Sequence, residues 1–315
     1  MPYSKPNDVR VLFIGTPEIA VPPLLALIEE GYQVVGLVCQ EDKEVGRKRI
    51  LTAPPTKVVA LEHALPVFQP HRIRKDYAWA KDLDLDVIVT MAYGQILPDE
   101  LLKLPKKGSI NLHGSLLPKY RGAAPIQRTI EHGEKETGIT LMEMVSEMDA
   151  GRMYAKSKVE ILEGDTYSSL AEKLGESAAK LIKENLMNYV NDKLIGEAQN
   201  EAEVTYADKI GIEEEKLDLS LNKIDLIHKI HSLSEEPGGY LYFQDKKFKI
   251  FHVADFDDLE NEPIGTISLR QKKLLLSVRG GHIVLESVQL EGKKKMSGLD
   301  FASGAHLSGT ERLIS

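Results

Sequence analysis

Two polar side chains at the end of an apolar segment are the first residues of this chain that could carry out chemistry. Asn111 and His113 are two positions apart, so in a strand they lie on one face. The amide of Asn111 can donate to a developing negative charge, and the imidazole of His113 can donate and relay a proton. Because Gly114 then allows a turn, we expect the pair at a strand end, where open α/β sheets place their ligands.

A carboxylate further along the chain, that of Asp149, can complete this pair. It precedes Gly151 in the stretch Met148-Asp149-Ala150-Gly151, at the exit of a predicted strand. A carboxylate close to an imidazole stabilises its protonated form and can accept a proton through water. An amide, an imidazole and a carboxylate suffice for acid–base chemistry without a metal. Taken singly, however, each residue is more often an ordinary strand-end or turn residue than a catalytic one.

Composition excludes several classes of site. The 315 residues suggest two domains, and 42% hydrophobic residues can supply a sizeable core. The single cysteine, Cys39, excludes an intramolecular disulfide framework and a Cys-rich zinc site. His228 and His231 lie three apart on a predicted helix but have no third ligand, so we expect no metal site. Without a signal-peptide pattern or a run of about 20 apolar residues, we expect a cytoplasmic protein with no membrane association.

The charge distribution bears on the partners of the protein. A net charge of −8 argues by itself against a nucleic-acid partner and favours an enzyme acting on small molecules. Acidic residues outnumber basic ones over residues 201–262, but basic residues outnumber acidic ones over residues 263–315. Because local patches decide contact with phosphate, the acidic average leaves room for a basic face.

The pattern of apolar segments predicts an α/β fold with a doubly wound, mostly parallel, Rossmann-like sheet. Only Gly15 stands where a dinucleotide-binding fingerprint requires three glycines, so the acids Glu41 and Asp42 after the second strand do not indicate a dinucleotide site. Strands are predicted over residues 9–14, 34–38, 86–91, 109–113, 138–145 and 153–161, and helices over residues 18–30, 56–63, 97–104, 124–131 and 165–190.

The last third of the chain has a different pattern. A polar stretch over residues 191–205 predicts a linker. A helix over residues 220–234 is followed by short apolar segments separated by glycines and charged turns, which is typical of a small β-barrel. The sequence therefore predicts domains over residues 1–190 and 206–315.

The stretch from Asn111 to Gly122, Asn-Leu-His-Gly-Ser-Leu-Leu-Pro-Lys-Tyr-Arg-Gly, resembles the signature of the 10-formyltetrahydrofolate-dependent formyltransferases. Other similar pieces follow in the family's order and cover nearly the whole chain. They are Phe13-Ile14-Gly15-Thr16-Pro17-Glu18, Met91-Ala92-Tyr93-Gly94, Gly122-Ala123-Ala124-Pro125-Ile126-Gln127, Glu136-Thr137-Gly138 and Met148-Asp149-Ala150-Gly151.

The resemblance implies a function and roles for individual residues. Its context is similar to that of the members that formylate the amino group of methionyl-initiator tRNA for translation initiation, with 10-formyltetrahydrofolate as co-substrate. It assigns catalysis to Asn111, His113 and Asp149, and it implies that the C-terminal domain is an open, OB-like barrel that binds tRNA. The residues it places near the folate are Ser115, Leu116, Leu117, Pro118, Ala92, Tyr93 and Gly94.

Two basic segments are candidates for contact with tRNA. Residues 40–55 form a long, charged connection, which the charge pattern alone predicts to be a solvated loop. The resemblance implies instead that this loop enters the tRNA acceptor end, and a flexible basic loop is suited to contact with phosphates. The lysine run near residue 294 is either a solvated turn or a phosphate contact. The candidate residues are Lys43, Arg47, Lys48, Arg49, Lys293, Lys294 and Lys295. One departure from the family is Glu235-Glu236-Pro237-Gly238-Gly239, which places two acids where an Asn-Pro-x-Pro-like turn is common.

Other activities remain open from the sequence. The same three catalytic residues serve formyl transfer to a small amine, such as glycinamide ribonucleotide or an amino-sugar nucleotide, and formyl hydrolysis. The basic loop and the barrel favour tRNA over these substrates. A catalytically silent RNA-binding protein is the alternative from another class, and the intact trio argues against it. We expect the protein to act as a monomer.

Overall fold

Most strands from the first 160 residues form one sheet in the computed structural model of this protein. The structure describes residues 2–46, 48–258, 262–305, 307 and 311–315. The strands are β1 (Arg10–Gly15), β2 (Gln33–Val38), β3 (Lys43–Val45), β4 (Ile50–Thr52), β5 (Val67–Phe68), β6 (Val87–Met91), β7 (Ser109–His113), β8 (Glu136–Glu143) and β9 (Met153–Glu160). All except β3 and β4 lie in the seven-stranded sheet, in the order β5-β2-β1-β6-β7-β8-β9.

The strands of this sheet pair in both parallel and antiparallel directions. Strands β5, β2, β1, β6 and β7 run parallel, whereas β8 and β9 add to the edge in antiparallel directions. Every residue of β6 is buried, as is typical of a central parallel strand covered on both faces. The predicted doubly wound, mostly parallel fold is confirmed.

Helices alternate with these strands. They are α1 (Val21–Glu29), α2 (Pro55–Glu62), α3 (Asp99–Leu102), α4 (Pro125–Glu131) and α5 (Tyr167–Val190). The apolar stripe predicted on the longest helix is buried, and the Thr166 hydroxyl accepts from the Ser169 amide as a cap. The helix predicted over residues 97–104 is shorter, because it begins only after Pro98 and ends before Pro105, whose ring disfavours a helical residue ahead of it.

The charged connection over residues 40–55 is a β-hairpin, so its prediction as a loop is wrong. Strands β3 and β4 pair in antiparallel directions, and all their side chains are exposed. Because neither face is buried, the segment lacks the alternation of apolar and polar residues that reveals a strand. Asp42, just before the hairpin, is held by Gln69 and by Lys57 at 2.8 Å, and these hydrogen bonds lower the pKa of that carboxyl.

The C-terminal strands form a separate antiparallel sheet. They are β10 (Gly239–Phe243), β11 (Lys246–Phe256), β12 (Ile267–Arg270), β13 (Lys273–Val278), β14 (Gly281–Leu290) and β15 (Met296–Ser297), accompanied by α6 (Lys223–Ser232) and α7 (Gly298–Ala305). The order is β10-β11-β14-β13-β12, with β15 on β14. Among the described residues β10 does not pair with β12, but the C-terminal tail bridges to Tyr242 and Thr266. This arrangement agrees with the predicted open, OB-like barrel.

Apolar side chains of the C-terminal strands, α6 and α7 pack together into one hydrophobic core. Leu226 and Ile230 of α6 are fully buried, and so is Phe248 of β11, whose ring packs against Phe301 of α7. The helix is shorter than predicted, because the Asn222 side chain caps it by accepting from the amide three residues on.

Contacts divide the chain into two units that differ from the predicted domains. The first unit comprises Met1–Gly122, Glu136–Glu160 and Ala171–Tyr206, and the second comprises Ala123–Lys135, Ile161–Leu170 and Ala207–Ser315. The linker over residues 191–205 and the predicted domain boundaries stay predictions. None of the described helices is both long enough and apolar enough to cross a bilayer.

Candidate active site

Asn111 lies on β7 and is oriented by the neighbouring strand. Its partner in the parallel ladder is Thr90 of β6, whose buried hydroxyl donates to the Asn111 Oδ1 at 2.7 Å. Because Oδ1 is the acceptor of this bond, the amide nitrogen is turned the other way. Asn111 was predicted from the sequence as a site residue. Thr90 was not, because in the sequence it is only one residue of a predicted buried strand.

His113 ends the same strand, and its ring is only 5% exposed. The Nε2 atom lies 2.9 Å from the carbonyl oxygen of Tyr120. Because a carbonyl can only accept, Nε2 carries a proton in this contact. In the neutral ring Nδ1 is therefore the unprotonated nitrogen, and it lies 3.6 Å from Oδ1 of Asp149. Proton exchange at this imidazole is thereby directed to Nδ1.

Asp149 stands on the loop between β8 and β9 in a left-handed backbone conformation, with φ of 52°. Its Oδ2 accepts from the Gly122 amide at 2.9 Å, so one carboxylate oxygen is held by the backbone while the other faces His113. Gly151 lets this loop pass close to β8, since a Cβ there would lie 2.0 Å from the carbonyl oxygen of Glu143. The local fold therefore requires the glycine two residues after the acid.

The three predicted catalytic residues meet at one edge of the sheet, beside a cavity of about 590 Å³. Asn111 and Asp149 line it directly, together with a polar rim and three methionine side chains. The other lining residues are Arg74, Gln95, Ile96, Leu97, Pro98, Asp99, Glu100, Leu102, Met142, Met144, Val145, Ser146 and Met148. The volume of the cavity is in the range typical of sites for small molecules. Apart from Gln95 and Met148, which adjoin residues that the resemblance singles out, sequence analysis gave no signal for these other lining residues.

The residues that the resemblance places near folate lie beside this cavity rather than on its walls. Ser115 is fully buried and its hydroxyl donates to the Lys119 carbonyl at 2.7 Å. Leu117 is buried as well, and its amide donates to the hydroxyl of Thr140 on β8. Leu116 and Pro118 are half-buried. These residues belong to the loop that leads to Tyr120, whose carbonyl oxygen accepts the hydrogen bond from His113.

The turn Ala92-Tyr93-Gly94 follows β6 at the same edge of the sheet. Gly94 has a φ of 88°, which suits a glycine, and Ala92 is exposed. The Tyr93 carbonyl accepts from Thr16 and from Gln40, so the turn is fixed to the ends of β1 and β2. Burial raises the pKa of the Tyr93 hydroxyl to about 12, which keeps this phenol neutral.

The hairpin β3–β4 carries the first set of predicted tRNA contacts. Lys43 and Lys48 are exposed on it. Arg49 is exposed too and pairs with Glu44 at 2.5 Å within the hairpin. Arg47, the position to which the resemblance gives most weight, lies outside the described residues.

Lys293, Lys294 and Lys295 are exposed on the turn between β14 and β15. Lys295 is ion-paired with Glu235, and its ammonium lies 5.0 Å from the ring centre of Phe251. Glu235, one of the two acids by which this chain departs from the family pattern, therefore neutralises Lys295, one of the lysines predicted to contact phosphate. The ion pair lowers the pKa of the Glu235 carboxyl.

The described part of the chain holds no group of three or more His, Cys, Asp or Glu side chains placed to bind a metal ion. His231, one of the two histidines on α6, is buried, and its Nε2 donates to the carbonyl of Val253 at 3.0 Å. Burial lowers the pKa of both His231 and His228.

Comparisons with known proteins place the whole chain among formyl transferases. The family model described as formyl transferase matches residues 9–186, and the model described as formyl transferase, C-terminal domain, matches residues 209–306. The methionyl-tRNA formyltransferase of Bacillus subtilis (strain 168) is 42% identical over 308 residues, covering 96% of this chain and 97% of the relative. That of Lactobacillus johnsonii is 38% identical over 309 residues, covering 96% of this chain and 98% of the relative.

A solved structure extends the comparison to the fold. The N-formyltransferase from Helicobacter canadensis, in complex with folinic acid and dTDP-3-aminofucose, superposes with a TM-score of 0.67 at 19% identity. The match covers 88% of this chain and 98% of that protein. At this level of identity the similarity concerns the fold alone.

Proposed function

The chain belongs to the formyl transferase family, and we propose that it transfers the formyl group of 10-formyltetrahydrofolate to the amino group of methionyl-initiator tRNA. The product is N-formylmethionyl-tRNA, which starts translation. The observation that carries the proposed chemistry is the approach of His113 Nδ1 to Asp149 at 3.6 Å beside Asn111. The choice of tRNA as the amine rests on relatives of that name that match nearly the full chain.

The three side chains have complementary parts in the proposed reaction. Attack of the amine on the formyl carbon forms a carbon–nitrogen bond and leaves a negative charge on the formyl oxygen, to which the Asn111 amide donates. Asp149 accepts the proton that the attacking nitrogen loses, directly or through water. His113 delivers a proton from Nδ1 to the departing folate nitrogen as the old carbon–nitrogen bond breaks. The carboxylate next to the ring stabilises the imidazolium before that transfer.

The proposal assigns surrounding residues as well. The cavity beside Asn111 is the proposed site for the folate. Ser115–Pro118 and Ala92–Gly94, which do not line this cavity, are proposed to lie near the folate because of the family resemblance. The hairpin β3–β4 and the turn at residues 293–295 are the proposed tRNA contacts. In this proposal residues 1–190 are the catalytic domain, 191–205 the linker and 206–315 the tRNA-binding domain of a cytoplasmic monomer.

A direct test offers the purified protein two amines. Methionyl-initiator tRNA and glycinamide ribonucleotide are each incubated with 10-formyltetrahydrofolate, and the acylated product is identified by mass. We expect formylmethionyl-tRNA and no formylated ribonucleotide. The variant His113→Asn, which keeps a polar side chain without a proton-relaying ring, serves as the inactive control. Formylation of the ribonucleotide instead would refute the proposed substrate while keeping the chemistry.

A further inference from the structure

We propose that Gln199 is the positioning residue of the active site and acts on Asp149 from a segment whose sequence predicts only a polar linker. This inference rests on the proposed function, because it concerns how Asp149 is held for formyl transfer. Gln199 does not line the cavity, and it contacts the backbone rather than the carboxylate of Asp149.

The side-chain amide of Gln199 connects two points of the loop. The amide is almost fully buried, and its Nε2 lies 2.6 Å from the carbonyl oxygen of Asp149 and 2.9 Å from that of Gly151. An amide nitrogen has two hydrogens, so both donors are used on the two carbonyls that flank Ala150. The peptide planes on both sides of the turn are therefore tied to one side chain.

A buried arginine fixes the orientation of this amide. Arg121 is 1% exposed, and its Nε donates to the Gln199 Oε1 at 2.9 Å. A guanidinium only donates and carbonyls only accept, so the amide oxygen must face Arg121 and the amide nitrogen must face the loop. The other end of the guanidinium pairs with Glu201 at 2.8 Å. A side chain of this length with one acceptor and two donors is needed to accept from Arg121 and to donate to both backbone carbonyls of the loop.

The same segment also holds the loop that orients His113. The Thr205 hydroxyl accepts from the Tyr120 amide at 2.9 Å, and the Thr205 carbonyl accepts from the Arg121 amide at 2.9 Å. The Tyr120 carbonyl in turn accepts from the ring of His113. Residues 199–205 thus contact both loops whose residues must meet for the proposed proton transfers.

The position of Asp149 depends on such restraint. Its φ of 52° is a left-handed conformation that most residues with a side chain rarely adopt, although aspartate adopts it more readily than most, and hydrogen bonds from the surroundings add to its stability. Without the two donors of Gln199 the loop can relax, and the carboxylate moves relative to His113 Nδ1. A displacement on the order of 1 Å can lower turnover by about 100-fold.

The test compares three variants by steady-state formylation of methionyl-tRNA. Gln199→Leu removes all three hydrogen bonds, whereas Gln199→Glu keeps an acceptor for Arg121, replaces the donors to the loop by an oxygen that cannot donate, and adds a negative charge. The matched control is Gln33→Leu, since Gln33 also accepts from an arginine, Arg10, and donates to a backbone carbonyl on another part of the sheet. We expect both Gln199 variants to lower kcat by roughly 10-fold to 100-fold with KM for both substrates nearly unchanged, and the control to keep its kcat.

A double-mutant cycle with Asp149→Asn separates positioning from general damage. If Gln199 acts through the carboxylate, Gln199→Glu lowers kcat no further once Asp149 has lost its charge. Losses that multiply in the double variant, an unchanged kcat in both single variants, or loss of the thermal unfolding transition in both would overturn the assignment. A wild-type protein that does not formylate methionyl-tRNA would instead refute the proposed function.

Discussion

Replacing Asp149 by asparagine removes one negative charge from the site and changes little else. The asparagine oxygen can still accept from the Gly122 amide, and asparagine tolerates the left-handed conformation that Asp149 adopts. The Asp149→Asn variant therefore isolates the electrostatic part of the proposed mechanism. Asp149→Ala would lose the acceptor and that backbone tolerance together, so its effect on turnover would include a cost in stability.

The expected magnitude follows from the distance between the two charges. At 3.6 Å the attraction of a carboxylate for an imidazolium is ~1 kcal/mol in bulk water and ~5 kcal/mol at an effective dielectric constant of about 20. The Asp149 side chain is 15% exposed and the ring of His113 is 5% exposed, which favours the upper part of this range. Since one general acid–base group contributes roughly 10²-fold to 10⁴-fold, we expect kcat to fall by about 10²-fold to 10³-fold.

The measurement is single-turnover formylation of methionyl-tRNA with both the enzyme and the formyl donor in saturating excess, so that substrate binding and product release do not enter, and the expected loss applies to this rate of the chemical step. The thermal unfolding temperature of the variant should match that of the wild type. The charge relation between Asp149 and His113 would be refuted by a rate within about threefold of wild type, because even the attraction in bulk water predicts a larger loss.

Three further variants test other parts of the site and fold. Thr90→Val removes the hydroxyl that orients Asn111. Because one hydrogen bond contributes about 1 kcal/mol, we expect a roughly fivefold loss of kcat. This loss is much smaller than the roughly 10²-fold to 10³-fold loss expected for Asn111→Ala. Arg47→Ala should raise KM for methionyl-tRNA and leave donor binding unchanged, and unaltered tRNA kinetics would count against the hairpin as a tRNA contact. Hydrogen bonds from Arg128 lower the pKa of Glu214 from 4.5 to about 2. This pairing therefore stabilises the fold fully above about pH 4.5 and is lost as the pH falls toward 2, so the unfolding temperature of Glu214→Gln should depend less on pH across that window.

The elements that could be predicted from the sequence are those with a buried face. Strand β6 is apolar except for Thr90, and α5 carries a continuous apolar stripe, so both elements could be recognised from their apolar residues. The hairpin β3–β4 could not be predicted, because its exposed strands pack against nothing that would select apolar residues at alternate positions. It is formed by cross-strand pairing of the backbone, which has no local pattern in the sequence.

The same distinction applies to the candidate site. Asn111 and His113 could be paired from the sequence, because two residues on one strand have a fixed spatial relation. Asp149 was one chemically suitable carboxylate, and only the resemblance singled it out, because no spacing in the sequence relates the β8–β9 loop to the end of β7. Gln199 had no signal at all. Its partners are backbone carbonyls and a buried arginine, and backbone acceptors are the same at every position of a sequence.

The three catalytic side chains share one mode of support. Each has two polar atoms, and each uses one of them on a fixed neighbour. Asn111 Oδ1 accepts from Thr90, His113 Nε2 donates to the Tyr120 carbonyl, and Asp149 Oδ2 accepts from the Gly122 amide. The remaining atoms are the amide nitrogen, Nδ1 and Oδ1, which are the atoms that the proposed reaction requires. Since these groups are oriented before substrate arrives, little reorganisation accompanies the charge that develops on the formyl oxygen. The site therefore depends on its supporting atoms as much as on its reacting atoms, and variants of Thr90 and Gln199 should affect kcat although neither residue needs to touch a substrate.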